Sequence, residues 1–192
     1  FKLLERFYEC KVGKIEINQV PINKYSASDL RNNIVYMPKK PFFLQGTIMD
    51  NLKLGQNEIS DLEVIEVCKK VGIHSDIQKL EKGYYELIES GGENFSSGQK
   101  QKLGFVRVLL KKADIVLLDE VTSDLDGEAE RQICNQIEEI AKKAIVLNIA
   151  HKPESIRRSK KVFFIQGGKI VAEGTHKALM KNCVDYKKIF AN

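Results

Sequence analysis

Apolar side chains recur along this chain with two different periods, and the changes of period mark its elements. Leu3, Leu4, Phe7 and Tyr8 fall at helical intervals, so residues 1–9 read as an amphipathic helix. After Gly13, Lys14-Ile15-Glu16-Ile17-Asn18 alternates as a half-buried strand does. Val20-Pro21-Ile22 ends that run, because proline has no N–H to give to a ladder. Asn33 to Met37 is another short β-type run, closed by Pro38. From Asp61 to Val71 the apolar positions Leu62, Ile65, Val67, Cys68 and Val71 follow a helical pattern, and a second helix is predicted over 75–80. The middle of the chain therefore reads as helical, without a strand.

Beyond Gly98 the pattern alternates between the two periods. A helix is predicted from Gln99 to Lys111, then the apolar strand Ile115-Val116-Leu117-Leu118, then a helix carrying Ile133, Ile137 and Ile140. A strand over 144–149, a short helix near Glu154, and strands over 162–165 and 169–173 complete the chain. Strands that alternate with helices, some of them uninterrupted Val/Ile/Leu runs suited to burial on both faces, predict an α/β fold around a parallel sheet. The helical stretch over 46–102 reads as an insertion into it.

Composition narrows the picture. With 43% hydrophobic and 30% charged residues, 192 residues support one sizeable core and are short for two ordinary domains. The net charge of +5 comes from 31 basic and 26 acidic residues that are interspersed, as in Glu138-Glu139 before Lys142-Lys143. No compact basic tract with interleaved aromatics occurs, so a solvated surface is expected and nucleic acid is not expected as a partner. Cys10, Cys68, Cys134 and Cys183 are far apart and form no CxxC pair, which predicts ordinary reduced thiols. The longest apolar stretches, 115–118, 144–147 and 162–165, fall far short of the roughly eighteen residues a membrane helix needs. Lys2, Glu5 and Arg6 interrupt any signal-peptide-like run at the start. The chain also opens without methionine, and a fragment is the expectation.

Chemistry concentrates at a few points. The buried-type strand 115–118 delivers Asp119 and Glu120 at its C-terminal end, the edge where ligands collect in open α/β sheets. Such an aspartate can hold Mg²⁺ and the adjacent glutamate can polarise a water for in-line attack on a phosphoryl group. Taken alone, the pair reads equally well as two exposed acids in a turn. Upstream, Asn94-Phe95-Ser96-Ser97-Gly98-Gln99-Lys100-Gln101-Lys102 places small residues at the start of a predicted helix, where N–H groups and the helix dipole favour an anion. A plain serine N-cap would explain Ser96 or Ser97 but not the whole string. Downstream come Ser123-Asp124-Leu125-Asp126-Gly127 and, after another helix and strand, Ala150-His151-Lys152. A histidine at a strand's C-terminal end is placed to meet a phosphate or an attacking water. For His74 and His176 a capping or packing role is expected, and for Phe42 and Phe43 a core or partner-contact role.

The order FSSGQKQK, IVLLDE, SDLD, then a strand ending in AH, resembles the signature, Walker B, D-loop and switch histidine of the ABC ATPases. KLLERFY is similar to the helix that follows the phosphate-binding loop in exporter-type members, MPKKPFFLQGTIMDNL to the Q-loop segment, and GGKIVAEGTHKALM to the closing hairpin and helix. The resemblance implies a P-loop NTPase nucleotide-binding domain with an α/β core over 1–45 and 103–192 and a helical subdomain over 46–102. It implies ATP and Mg²⁺ as ligands, a second nucleotide-binding domain facing this one head to tail, and transmembrane domains that hold both at the cytoplasmic face of the cell membrane. The segment around Phe42 and Phe43 would face those domains. The roles it implies are Asp119 for Mg²⁺, Glu120 for the attacking water, His151 for the γ-phosphate, and Ser96, Ser97, Gly98 and Gln99 for the partner's nucleotide. Asp124 and Asp126 would serve the interface.

Several positions depart from that pattern. No GxxxxGK[ST] occurs in the 192 residues, so an N-terminally truncated domain is expected. Lys39 stands at the Q-loop glutamine position and cannot accept a hydrogen bond as an amide can; Gln45 is near but out of register. Phe95 and Ser97 replace a usual leucine and glycine of the signature. The RFY-type helix and the FSSGQKQK signature look most like those of bacterial peptide or bacteriocin exporters, whereas these departures favour, as an alternative, a catalytically degenerate regulatory or structural subunit that completes a partner's ATP site. A chromosome-type ABC ATPase fits less well, since no long heptad run separates the Q-loop segment from the signature.

Overall fold

The first strand pairing forms where an alternating run meets a proline. β1 (Glu16–Ile17) and β2 (Val20–Pro21) make a tight antiparallel hairpin. Its turn residues, Asn18 and Gln19, take φ of 51° and 65°, as a two-residue type I′ connection requires. The structure, a computed structural model, describes residues 1–54, 56 and 58–190. It divides into two units, Phe1–Ile149 and Ala150–Asn192.

In the first unit, α1 (Ala27–Asn33) starts at a reciprocal Ser26/Asp29 capping box and leads into β3 (Ile34–Met37). A two-stranded antiparallel pair, β4 (Gly46–Thr47) with β5 (Leu87–Ile88), brackets α2 (Ile48–Lys53), α3 (Asp61–Val71) and α4 (His74–Gln78). α5 (Ser97–Lys111), β6 (Ile115–Asp119), α6 (Gly127–Ile140) and β7 (Ile145–Ile149) follow. β3, β6 and β7 form a parallel sheet with β6 in the centre, in a register that sets Met37 against Leu118 and Asp119 against Ile149.

The uninterrupted apolar sequence of β6 is explained by cover on both faces. Val116 and Leu118 join a large core with Leu103, Val106, Val64, Cys68 and Ile133, whereas Leu117 points into a smaller cluster with Ile22, Leu30 and Ile34. Full burial of each such aliphatic side chain stabilises the fold by about 1.5–3 kcal/mol. α3 buries Val64, Cys68 and Val71 along one stripe and stops at Gly72, whose φ of 72° only glycine adopts readily. The tip of Gln132 also lies over this position, with its Oε1 2.2 Å from where a Cβ would stand. β7 is an edge of this sheet, and along it Ile145, Leu147 and Ile149 are 62%, 38% and 42% exposed.

In the second unit, α7 (Pro153–Arg157) precedes the antiparallel pair β8 (Val162–Gln166) and β9 (Lys169–Gly174), then α8 (His176–Asn182) and α9 (Val184–Phe190). Its core gathers Ile156, Leu179 and Tyr186 with Phe164 and Phe190. His176 Nδ1 lies 2.8 Å from Tyr186 Oη, and burial, with the nearby charge of Arg157, holds the imidazole below the usual histidine range.

Two expectations are corrected. Residues 1–9 form turns rather than a helix: Glu5 N bonds Phe1 O in helical register, but Phe7 N bonds Lys2 O and Arg6 takes φ 54°. A segment this short cannot offset the cost of helix nucleation from its own spacing. The middle of the chain does contain a strand pair, β4/β5, too short to carry a period. The last two strands pair antiparallel with each other, the closing hairpin that the resemblance implied, and the two-residue Gly167-Gly168 connection, with φ of 56° and 76°, favours it. Among the described residues no helix is long and apolar enough to cross a membrane.

Candidate functional site

Two carboxylates leave the central strand at its C-terminal end. Asp119 is the last residue of β6, and its Oδ2 accepts a 3.2 Å hydrogen bond from Tyr36 Oη on the neighbouring strand. Burial raises the Tyr36 hydroxyl above the usual tyrosine range, and the Asp119 charge and hydrogen bond add to it. Glu120 follows with φ 51°, a left-handed conformation that a side-chain-bearing residue adopts at a cost of about 1–2 kcal/mol. It is held there from both sides. Glu120 N donates to Ile149 O at 2.9 Å, and Ser123 N donates to Glu120 O at 3.0 Å. The bend turns the chain from β6 into the loop that carries Asp124 and Asp126.

The helix start and the strand end are joined by one buried side chain. Ser96 caps α5 in a reciprocal box: Gln99 N donates to Ser96 Oγ at 3.2 Å and Ser96 N donates to Gln99 Oε1 at 3.0 Å. The N–H groups of Ser97 and Gly98, in the first turn, have no acceptor within the helix. Gly98 passes so close to the 120–126 loop that a Cβ on it would lie 3.2 Å from Asp124 O. A turn further along α5, Gln101 is 1% exposed. Its Nε2 donates to Ser123 Oγ at 2.8 Å and, at the long limit of 3.5 Å, to Glu120 O; its Oε1 accepts from Asp124 N at 3.1 Å. One amide thus ties the α5 start to the turn that orients Glu120.

Lys39 closes the other side. Its Nζ lies 2.5 Å from Glu120 Oε2, and that hydrogen bond and charge, reinforced by Asp124 and Asp119, hold the ammonium above the usual lysine range. The segment it belongs to is anchored by Arg107 on α5. That guanidinium donates to Phe42 O, Asn51 O and Asn51 Oδ1, and lies 4.4 Å from the Phe43 ring centroid. Burial pulls Arg107 down to about 10, so it stays charged at neutral pH. Asn51, 2% exposed, in turn bonds Leu44 N, Leu44 O and Thr47 O.

The first unit therefore brings Asp119, Glu120, Lys39, Asp124 and the Ser96–Gln99 helix start into one neighbourhood. Asp126 adds a local task, capping α6 by accepting from Ala129 N at 2.9 Å. His151 is exposed and lies in the second unit, two residues beyond the end of β7. Sequence reasoning missed Gln101, Tyr36 and Arg107. The available signal was a polar residue on an apolar stripe: Gln101 shares a helix face with Phe105 and Val108, all three buried.

Asp119 contributes a single carboxylate, and among the described residues no group of three or more His, Cys, Asp or Glu side chains assembles. That donor set fits Mg²⁺, which binds one or two carboxylates and fills its remaining positions with water and phosphate oxygens.

Residues 1–123 match the family described as ABC transporter. The chain is 37% identical over 190 residues to the ABC multidrug transporter MDR2 of Trichophyton rubrum, covering 97% of this chain and 14% of that protein. It is 38% identical over 188 residues to an export ATP-binding/permease protein of Rickettsia typhi, covering 98% of this chain and 33% of that one. Among solved structures, a bacterial Atm1-family ABC exporter with ATP bound superposes with a TM-score of 0.94 at 28% identity, covering 99% of this chain and 34% of the exporter chain. The chain thus spans between about a seventh and a third of the length of these relatives.

Proposed function

On the premise that this chain belongs to the ABC transporter family, we propose that it is the ATP-binding and ATP-hydrolysing motor domain of an exporter that moves peptides or other substrates. The observation that carries the reading is the bent strand end: β6 delivers Asp119 and Glu120, and the turn that follows is tied to α5 through Gln101. Asp119 holds Mg²⁺, which when bound neutralises charge on the phosphate oxygens. The carboxylate of Glu120 orients the attacking water, and His151 hydrogen-bonds the γ-phosphate. Ser97 and Gly98 present their N–H groups, Ser96 and Gln99 their side chains, and α5 its dipole to the nucleotide of a second domain facing this one, while Asp124 and Asp126 order the interface between the two. The α/β core over 1–45 and 103–192 and the helical subdomain over 46–102 are the two lobes of that motor. Transmembrane domains hold it at the cytoplasmic face of the membrane, and ATP-driven closure and reopening of the pair drive their cycle.

The test uses a protein that carries this domain together with a phosphate-binding loop. Glu120→Gln is expected to leave ATP binding intact and to lower steady-state hydrolysis by about 100-fold or more, since only the water-orienting charge is lost. Near-normal turnover in that variant would remove Glu120 from the role.

A second reading has its own observation. The Lys39 ammonium already occupies Glu120 Oε2, which favours a subunit that completes its partner's site while hydrolysing slowly itself. Measuring turnover of the intact protein with each site disabled in turn separates the two readings.

A further inference from the structure

Lys39 and Glu120 meet because of sheet register. β3 and β6 run parallel with Met37 against Leu118, so two residues beyond that pair the chain sets position 39 opposite position 120. Both ends of the contact are fixed. The Glu120 backbone is held by Ile149 O and Ser123 N. The stretch after Lys39 is held by Arg107 on Phe42 O, by Asn51 on both polar groups of Leu44, and by Pro41 against Gly104. The Lys39 side chain is itself 52% exposed, so its stem can swing away while its backbone stays put. A carboxylate orients a water by accepting the water's O–H. An ammonium at hydrogen-bond distance takes up one oxygen of that carboxylate and weakens its negative field.

We propose that Lys39 is a positioning residue that latches Glu120, holding the carboxylate in a restrained, charge-paired state that must open before the attacking water is oriented. The inference rests on the reading of Glu120 as the water-orienting carboxylate. The half-exposed stem lets the ammonium swing off the carboxylate into solvent. A half-exposed ion pair is weak, so the latch slows turnover modestly rather than blocking it.

The test is steady-state ATP hydrolysis by the full-length protein. Lys39→Met, which removes the charge without supplying a Q-loop amide, is expected to raise kcat by about two- to fivefold, the range set by a partly exposed ion pair. Lys39→Arg keeps the cation and adds a planar fork that grips a carboxylate with two N–H groups, so it is expected to hold kcat at or below the wild-type value. A purely structural lysine would not make kcat follow the charge at position 39, with methionine above wild type and arginine at or below it. Unchanged or reduced kcat in Lys39→Met overturns the latch, as does an arginine variant as fast as the methionine one. Failure of the underlying reading shows separately, as full turnover in Glu120→Gln with Lys39 intact.

Discussion

Glu5 sits at the start of the chain with one carboxyl oxygen, Oε1, buried and without a hydrogen-bond partner among the described residues. Burial pushes its carboxyl above the usual glutamate range, against the pull of the Arg31 charge. A group whose folded value is raised stabilises fully below its unfolded value of 4.5, and that stabilisation is lost as pH rises through the folded value. Glu5→Gln is therefore expected to raise the melting temperature at neutral pH and to leave it nearly unchanged at about pH 4, narrowing the difference between the two. Solvent screening keeps the gain below about 1 kcal/mol. An identical pH dependence in both proteins would show that Glu5 is not the source. At this scale, the placement of Asp119 and Glu120 at a strand end and of Ser96–Gln99 at a helix start was legible, because changes of apolar period mark those ends. The partners of those residues were not. That Lys39 meets Glu120, or that Tyr36 meets Asp119, depends on which strands become neighbours and in what register, and no local spacing encodes either.

Among the elements, α5 does the most joining, and its close approach to Pro41 can be tested. A Cβ on Gly104 would lie 2.6 Å from Pro41 Cγ, 2.9 Å from Pro41 Cβ and 3.1 Å from Met37 Cε. A pyrrolidine ring cannot rotate aside as a flexible side-chain tip can. Alanine is the better helix former by about 1 kcal/mol, yet Gly104→Ala is expected to destabilise the domain by about 1–3 kcal/mol through overpacking, read as a lower urea midpoint at unchanged slope. An unchanged or higher midpoint would mean that the Pro41 segment yields freely. The boundaries of α3 were legible in full, since Ser60 caps it, Gly72 ends it, and a buried stripe runs between them. β4 and β5 were not, because a two-residue strand has no period and is defined only by the partner it finds.

For the whole molecule, the proposed head-to-tail pairing predicts association that depends on nucleotide. Ser96 is exposed at the α5 start, so Ser96→Arg places bulk and charge there at the cost of one N-cap, about 1 kcal/mol. In the full-length protein with hydrolysis blocked by Glu120→Gln, ATP is expected to drive the nucleotide-binding domains together, and Ser96→Arg is expected to abolish that closure in a cross-linking or size-based assay. Closure that is equal with and without ATP would show that the FSSGQ segment does not read a nucleotide. The α/β class was legible at this scale from the alternation of strands and helices, but the antiparallel pairing of the last two strands depended on a glycine turn. The outer edge of β7 bears on how this polypeptide behaves in bulk solution. It exposes the apolar side chains of Ile145, Leu147 and Ile149 along one strand, a strip on which another molecule can pack. The net charge of +5 keeps copies apart only over a Debye length, about 8 Å in physiological salt and less in stronger buffer. Colloidal stability of the polypeptide on its own is therefore a contest between a diffuse repulsion that salt weakens and a short, adhesive edge that salt leaves intact.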